Sequence, residues 1–81
     1  MVFADDIRRV ILELAEKRGT GHTFASDEVA RAVDEKNWHI ISEQVKLVAG
    51  ILVQEGKIVA TQAGKVVDVD QSKGPLAFRK L

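Results

Sequence analysis

Apolar residues recur with a helical period through the first two thirds of the chain. Spacings of three, one and three residues predict a helix near residues 5–18, with an apolar face made by Ile7, Val10, Ile11 and Leu14. Acidic residues open this segment, basic residues close it, and a glycine follows, as the helix dipole and C-terminal capping favour. A second helix near residues 26–34 is predicted with Ser26 as its N-cap and a short apolar face at Val29, Ala30 and Val33.

The third helix is predicted by a longer apolar face, whose members are Ile41, Val45, Val48 and Leu52. Two starts fit this pattern. The helix either runs continuously from Trp38, or it follows a separate turn over residues 38–41 and spans residues 42–55 with Ser42 as its N-cap. We favour the second start.

The last third of the chain has the composition of β-strands. Residues 58–61 and 66–69 are rich in β-branched side chains, and Gly64 lies between them, which predicts a hairpin wing near residues 57–69. Short strands are also predicted at Thr23–Phe24 and in the tail, residues 70–81, where Leu76 and Phe78 alternate with other residues.

This order of elements predicts one α+β domain over residues 1–81, a winged helix-turn-helix with three helices and a C-terminal β-hairpin wing. Ala30 occupies the place where such motifs carry a small residue, and Val45 with Val48 resembles the apolar pair of the second motif helix. About five more residues separate them than in the tight motif, which predicts a longer turn around Trp38.

Length and composition narrow the class of protein. A chain of 81 residues rarely holds two cores, and the lack of cysteine excludes disulfides and thiol sites. The longest apolar stretch, residues 47–53, is far shorter than a membrane span, and the N-terminal residues lack the features of a signal peptide. We therefore expect a cytoplasmic protein that does not enter a membrane.

The segments assembled so far resemble domain-of-unknown-function family 3253, an uncharacterised bacterial family. The resemblance covers nearly the whole chain, and its matching pieces are residues 11–14, 18–19, 26–33, 38, 55–58, 61–65, 67–68 and 73–76. It implies a small winged-helix protein and brings no assigned activity. The chain departs from the family at Ala25 and Glu43, where members usually carry proline, and at Ala77, where they usually carry arginine.

The residues that could carry chemistry do not form a catalytic or metal-binding set. His22 and His39 lack the spacing of metal ligands, and Gly64-Lys65 is followed by Val66 where a phosphate loop needs Ser or Thr. No nucleophile, base and orienting group can be assembled from the remaining residues. We expect no enzyme activity, no cofactor and no metal.

The predicted fold makes double-stranded DNA the leading candidate partner, although a net charge of zero argues against tight non-specific binding. The chain has 12 basic and 12 acidic residues, but residues 1–56 hold 7 basic and 10 acidic groups, net −3, and residues 57–81 hold 5 and 2, net +3. In a winged helix the third helix enters the major groove and the wing contacts phosphates. The leading hypothesis is therefore a DNA-binding module of the kind that regulates transcription. Its candidate contacts are Ser42, Gln44, Lys46, Gln62, Lys65, Lys73, Arg79 and Lys80.

The alternative is a non-catalytic protein-interaction or dimerisation module on the same fold. Leu47, Gly50 and Val53 lie off the core face of the third helix, so this helix is apolar on more than one side. If that second side is exposed, it marks a surface for a second copy or another protein. We expect instead that the hairpin and the first helix cover these residues.

Overall fold

Three helices come first in the chain, and their lengths follow the apolar faces. In the computed structural model, which describes residues 4–69 and 76–81, these helices are α1 (Ala4–Arg18), α2 (Ser26–Val33) and α3 (Trp38–Gln54). Each buries one side, since Ile7 and Ile11 of α1, Val29 of α2 and Val45 of α3 are fully inaccessible to solvent.

Four short strands complete the molecule: β1 (Phe24–Ala25), β2 (Ile58–Gln62), β3 (Lys65–Val66) and β4 (Ala77–Lys80). They form one antiparallel sheet in the order β1-β4-β2-β3. The α+β class predicted from the sequence is confirmed, and the order of helices and strands is compatible with a winged helix.

The C-terminal strand β4 lies inside the sheet. Phe78 pairs with Phe24 on one side and with Ala60 on the other. Its ring is fully buried, with its centroid 5.9 Å from that of Phe24. The backbone N–H of Ser26 donates to the carbonyl of Leu76 at 3.1 Å, which ties the tail to the start of α2. The end of the chain is therefore part of the core.

Two predicted helix caps are wrong. Helix α3 is continuous from Trp38, so Ser42 lies inside it, where its hydroxyl donates to the carbonyl of His39 at 3.0 Å. A serine within a helix satisfies its hydroxyl in this way, and the favoured start at residue 42 is replaced by the continuous alternative. The N-cap of α2 is Ala25 rather than Ser26, and no side chain caps that end.

The β2–β3 turn requires left-handed backbone at both central residues. Ala63 has φ 53° and Gly64 has φ 81°, as a two-residue hairpin turn of type I′ demands. The pairs Gln62 with Lys65 and Thr61 with Val66 close the hairpin on either side. Glycine adopts this conformation without cost, whereas alanine is strained by its Cβ.

Relief of the strain at Ala63 should stabilise the protein. We expect Ala63→Asn to raise the free energy of unfolding by about 0.5–1 kcal/mol, because Asn tolerates the left-handed region. Urea denaturation followed by circular dichroism measures the change. Gly64→Ala, where nothing lies within 4 Å of an added Cβ, is the matched control and should destabilise the protein. A loss of stability in Ala63→Asn would contradict the turn assignment.

An ion pair joins α1 to the end of α3. The Arg8 guanidinium donates to both carboxylate oxygens of Glu55, at 2.7 and 3.2 Å. This hydrogen bonding is the main cause that holds the pKa of Glu55 below its usual range. Both side chains are more than a third exposed, so solvent weakens the attraction.

The Glu55 pair makes stability depend on pH in acid. A carboxyl whose pKa is lower in the folded state stabilises that state above its unfolded pKa, about 4.3 for Glu. That contribution is lost as the pH falls through the folded pKa. Glu55→Gln should therefore lower the urea midpoint slightly at pH 7, with a difference from wild type that shrinks below about pH 4. A difference that stays constant in acid would contradict this; Glu13→Gln, at a long exposed pair, is the control.

Candidate interaction surface on the third helix

The turn before α3 is held by one carboxylate. Asp34 accepts hydrogen bonds from the backbone N–H groups of Lys36 and Asn37 and from the Asn37 side chain, at 3.2, 3.4 and 3.1 Å. The side-chain hydrogen bond from Asn37 is the largest cause that lowers the pKa of Asp34. The turn is therefore only four residues long, 34–37, and the additional residues around Trp38 form the first turn of α3.

Trp38 lies where α2 meets α3. It packs against the core and is half-buried, and the Arg31 guanidinium lies 4.4 Å from its ring centroid. The His39 ring centroid lies 3.6 Å from that of Trp38. Core packing and cation–π contact thus account for the one tryptophan and fix the start of α3 against α2.

One side of α3 faces the core. It buries five residues, which are Ile41, Val45, Val48, Ala49 and Leu52. Four of them are the residues that the sequence placed on one face.

The opposite side of α3 exposes three large aliphatic side chains. Ile40 is 70% exposed, Leu47 69% and Ile51 53%. With 3.6 residues per turn, they fall within about 40° of the helix circumference. We call these three residues the α3 aliphatic face. The expectation that the hairpin and α1 cover this side is wrong for Leu47.

The flank of α3 nearest the sheet is partly covered. Gly50 and Val53 line a small cavity of about 200 Å³ together with Asp68 and Val69, which follow β3. Val53 also packs against the core. Asp68 and Val69 therefore reach α3 beside Gly50, and no residue in the described ranges 4–69 and 76–81 buries the aliphatic face.

The border of the α3 aliphatic face carries little charge. Exposed polar residues lie on either side of it, at Glu43, Gln44 and Gln54. The one charged residue among these three is acidic, and the nearest lysine of α3, Lys46, lies farther around the helix and is half-buried. An exposed helix side that is apolar at its centre and almost neutral at its border suits a protein surface better than phosphates.

The predicted DNA contacts among residues 4–69 and 76–81 lie on three parts of the fold, which are α3, the β2–β3 hairpin and β4. On α3, Gln44 is exposed, whereas Lys46 is half-buried and Ser42 bonds to its own helix. Gln62 and Lys65 face each other at the hairpin end, with Lys65 exposed. Lys73 lies outside the described residues.

The two basic residues of β4 point to opposite sides of the sheet. Lys80 follows Phe78 by two residues and shares its side, where its Nζ lies 2.8 Å from a Glu16 carboxylate oxygen of α1. Arg79, paired in register with Val59, belongs to the other side. These two cations therefore lie on opposite sides of the sheet, and the amino group of Lys80 already has an acidic partner.

Within residues 4–69 and 76–81, no three His, Cys, Asp or Glu side chains come together in a group that could hold a metal ion. Over the same ranges, no helix has both the length and the apolar character needed to cross a membrane.

Comparison with known proteins shows the family of this chain. A family model described as a protein of unknown function (DUF3253) matches residues 4–80. This range contains every helix and strand described above, and the family predicted from the sequence is thereby confirmed. No curated protein matches the chain.

Proposed function

We propose that this chain, which belongs to the family of proteins of unknown function DUF3253, is a non-catalytic protein-interaction module. It docks through the α3 aliphatic face. The observation that carries this proposal is the exposure of Ile40, Leu47 and Ile51 along one line of a helix. A large aliphatic side chain stabilises a protein by about 1.5–3 kcal/mol when it is moved from water to an apolar contact. Three of them on one line provide the apolar centre of an interface.

Hydrophobic patterning also supports this role. A helix that is apolar around most of its circumference is normally buried on all sides. Helix α3 buries one side in its own core and leaves the other in solvent. A partner that covers this second side would complete the burial that the sequence of the helix favours.

Photo-cross-linking in cells that produce the protein tests the proposal. A photoreactive amino acid in place of Leu47 should form covalent adducts with protein, which mass spectrometry identifies. The same group in place of Val66, an equally exposed aliphatic residue on β3, is the matched control. Adducts from position 47 but not from position 66 are expected. Equal adducts at both positions, or none at position 47, would overturn the proposal.

DNA binding is the second candidate, and the short turn between α2 and α3 favours it. Helix-turn-helix motifs join their helices with three or four residues, and this turn has four. In this case α3 would enter the major groove with Ser42, Gln44 and Lys46. The phosphate contacts would come from Gln62, Lys65, Lys73, Arg79 and Lys80.

Fluorescence anisotropy of labelled duplex DNA distinguishes the two candidates. The DNA candidate predicts binding at low salt that weakens steeply as salt rises, because each phosphate contact releases counterions. Reversal of charge at Lys65 and Lys73 together should flatten that dependence. Reversal at Lys17 of α1 and Lys36 of the α2–α3 turn together changes the net charge by the same amount and is the control. The absence of binding at low salt would exclude the DNA candidate, and the interaction module predicts that absence.

A further inference from the structure

The residues along the exposed side of α3 have a symmetric spacing. Ile40, Gln44, Leu47 and Ile51 are separated by four, three and four residues, a spacing that is the same in both directions. We propose that the occupant of the α3 aliphatic face is a second copy of this chain, with the two α3 helices packed antiparallel about a two-fold axis. This inference rests on the proposed function and names its partner.

In an antiparallel pair, each residue of this side lies opposite a residue of the same side on the second copy. Centred between positions 44 and 47, it sets Ile40 opposite Ile51 of the second copy and Gln44 opposite Leu47 of the second copy. Two-fold symmetry repeats both pairs, which gives four layers over about 16 Å of helix. Spacings of four and three residues are those of helices that pack side by side at a small angle.

Charge complementarity supports the same orientation. On one edge of the α3 aliphatic face, Glu43 borders the face and the half-buried Lys46 lies about 60° farther around the helix. Neither belongs to an ion pair within the described ranges 4–69 and 76–81. In the antiparallel pair this edge faces its own copy, with Glu43 almost level with Lys46 of the second copy. Symmetry then forms this opposite-charge contact twice.

The size of the surface predicts a weak, reversible dimer. One stripe on a single helix buries less than the roughly 800 Å² per partner of a standard interface. The monomer keeps its own core, because the five inward residues of α3 are buried without the second copy. We expect a dissociation constant of about 10–100 μM, equivalent to roughly −7 to −5.5 kcal/mol.

Sedimentation velocity combined with cysteine pairing tests the dimer and its orientation. Sedimentation of the whole protein from about 1 μM to about 500 μM should show a shift from monomer to dimer. Since the chain has no cysteine, Ile40→Cys and Ile51→Cys report contacts without background. A mixture of the two variants should form the mixed disulfide at least about tenfold faster than either variant alone, and Val66→Cys is the exposed control.

Three results would overturn the inference. A monomer at every concentration excludes the second copy. Disulfides that form as fast from Ile40→Cys alone as from the mixture show a parallel pair. A dimer in which neither cysteine reacts faster than the Val66→Cys control places the contact elsewhere.

Failure of the dimer and failure of the proposed function can be told apart. A monomer whose position 47 still cross-links to other proteins in cells overturns only this inference. A monomer without such adducts overturns the proposed function as well.

Discussion

Replacement of Phe78 by alanine is expected to remove a large share of the free energy of unfolding of this protein. The side chain is fully buried and belongs to β4, which lies between β1 and β2. Its loss leaves a cavity beside Phe24 and removes apolar burial, at a cost of about 3–5 kcal/mol. A domain of this length is stable by only about 4–12 kcal/mol in total.

Urea denaturation followed by circular dichroism measures this loss. Leu81→Ala is the control, because Leu81 is a large apolar residue three positions away that is mostly exposed. The control should change the free energy of unfolding by less than about 0.5 kcal/mol. A loss below about 1 kcal/mol in Phe78→Ala would contradict the burial of β4 within the sheet.

The second large effect concerns association rather than folding. Leu47→Glu should weaken docking on the α3 aliphatic face by about 100-fold or more, because a carboxylate would be buried at the centre of an apolar contact. The same variant should fold as wild type does, since the side chain is mostly exposed in the monomer and surface changes rarely exceed about 0.5 kcal/mol.

Val66→Glu is the control that shows whether the loss of association depends on where the carboxylate is placed. It places the same carboxylate at an equally exposed aliphatic residue of β3 and should leave association unchanged. Sedimentation measures self-association, and adduct yield from a photoreactive group at Ile51 measures docking in cells. If both Glu variants associate as wild type does, the α3 aliphatic face is not the docking surface.

The helices could be predicted because their core faces repeat in the sequence. Ile41, Val45 and Leu52 form such a face, and the structure buries all three. The start of α3 was predicted wrongly because Ser42 has the residue type of an N-cap, while the turn is held by Asp34 eight residues earlier. The spacing of Trp38 and Ile41 was the signal for the continuous helix.

The sheet and the exposed surface depend on contacts that local patterns do not encode. The alternation of Leu76 and Phe78 with other residues predicts a strand in the tail. The place of that strand between β1 and β2 is set by pairing with residues far away in the chain. Helix α3 is apolar on two sides, so periodicity cannot tell which side the core covers. For that reason the sequence alone could not predict whether Leu47 is buried or exposed. The packing of the other elements leaves it exposed.

Carbene footprinting tests most directly whether protein covers the α3 aliphatic face in cells. A small diazirine reagent labels exposed side chains whatever their chemistry, and mass spectrometry compares labelling in cells with labelling of dilute purified protein. In cells that produce the protein to about 500 μM, above the expected dissociation constant, we predict that Ile40, Leu47 and Ile51 lose most of their labelling, while Val66 and Leu81 keep theirs. Labelling of the α3 aliphatic face that is as strong in cells as in dilute solution would contradict the proposed function.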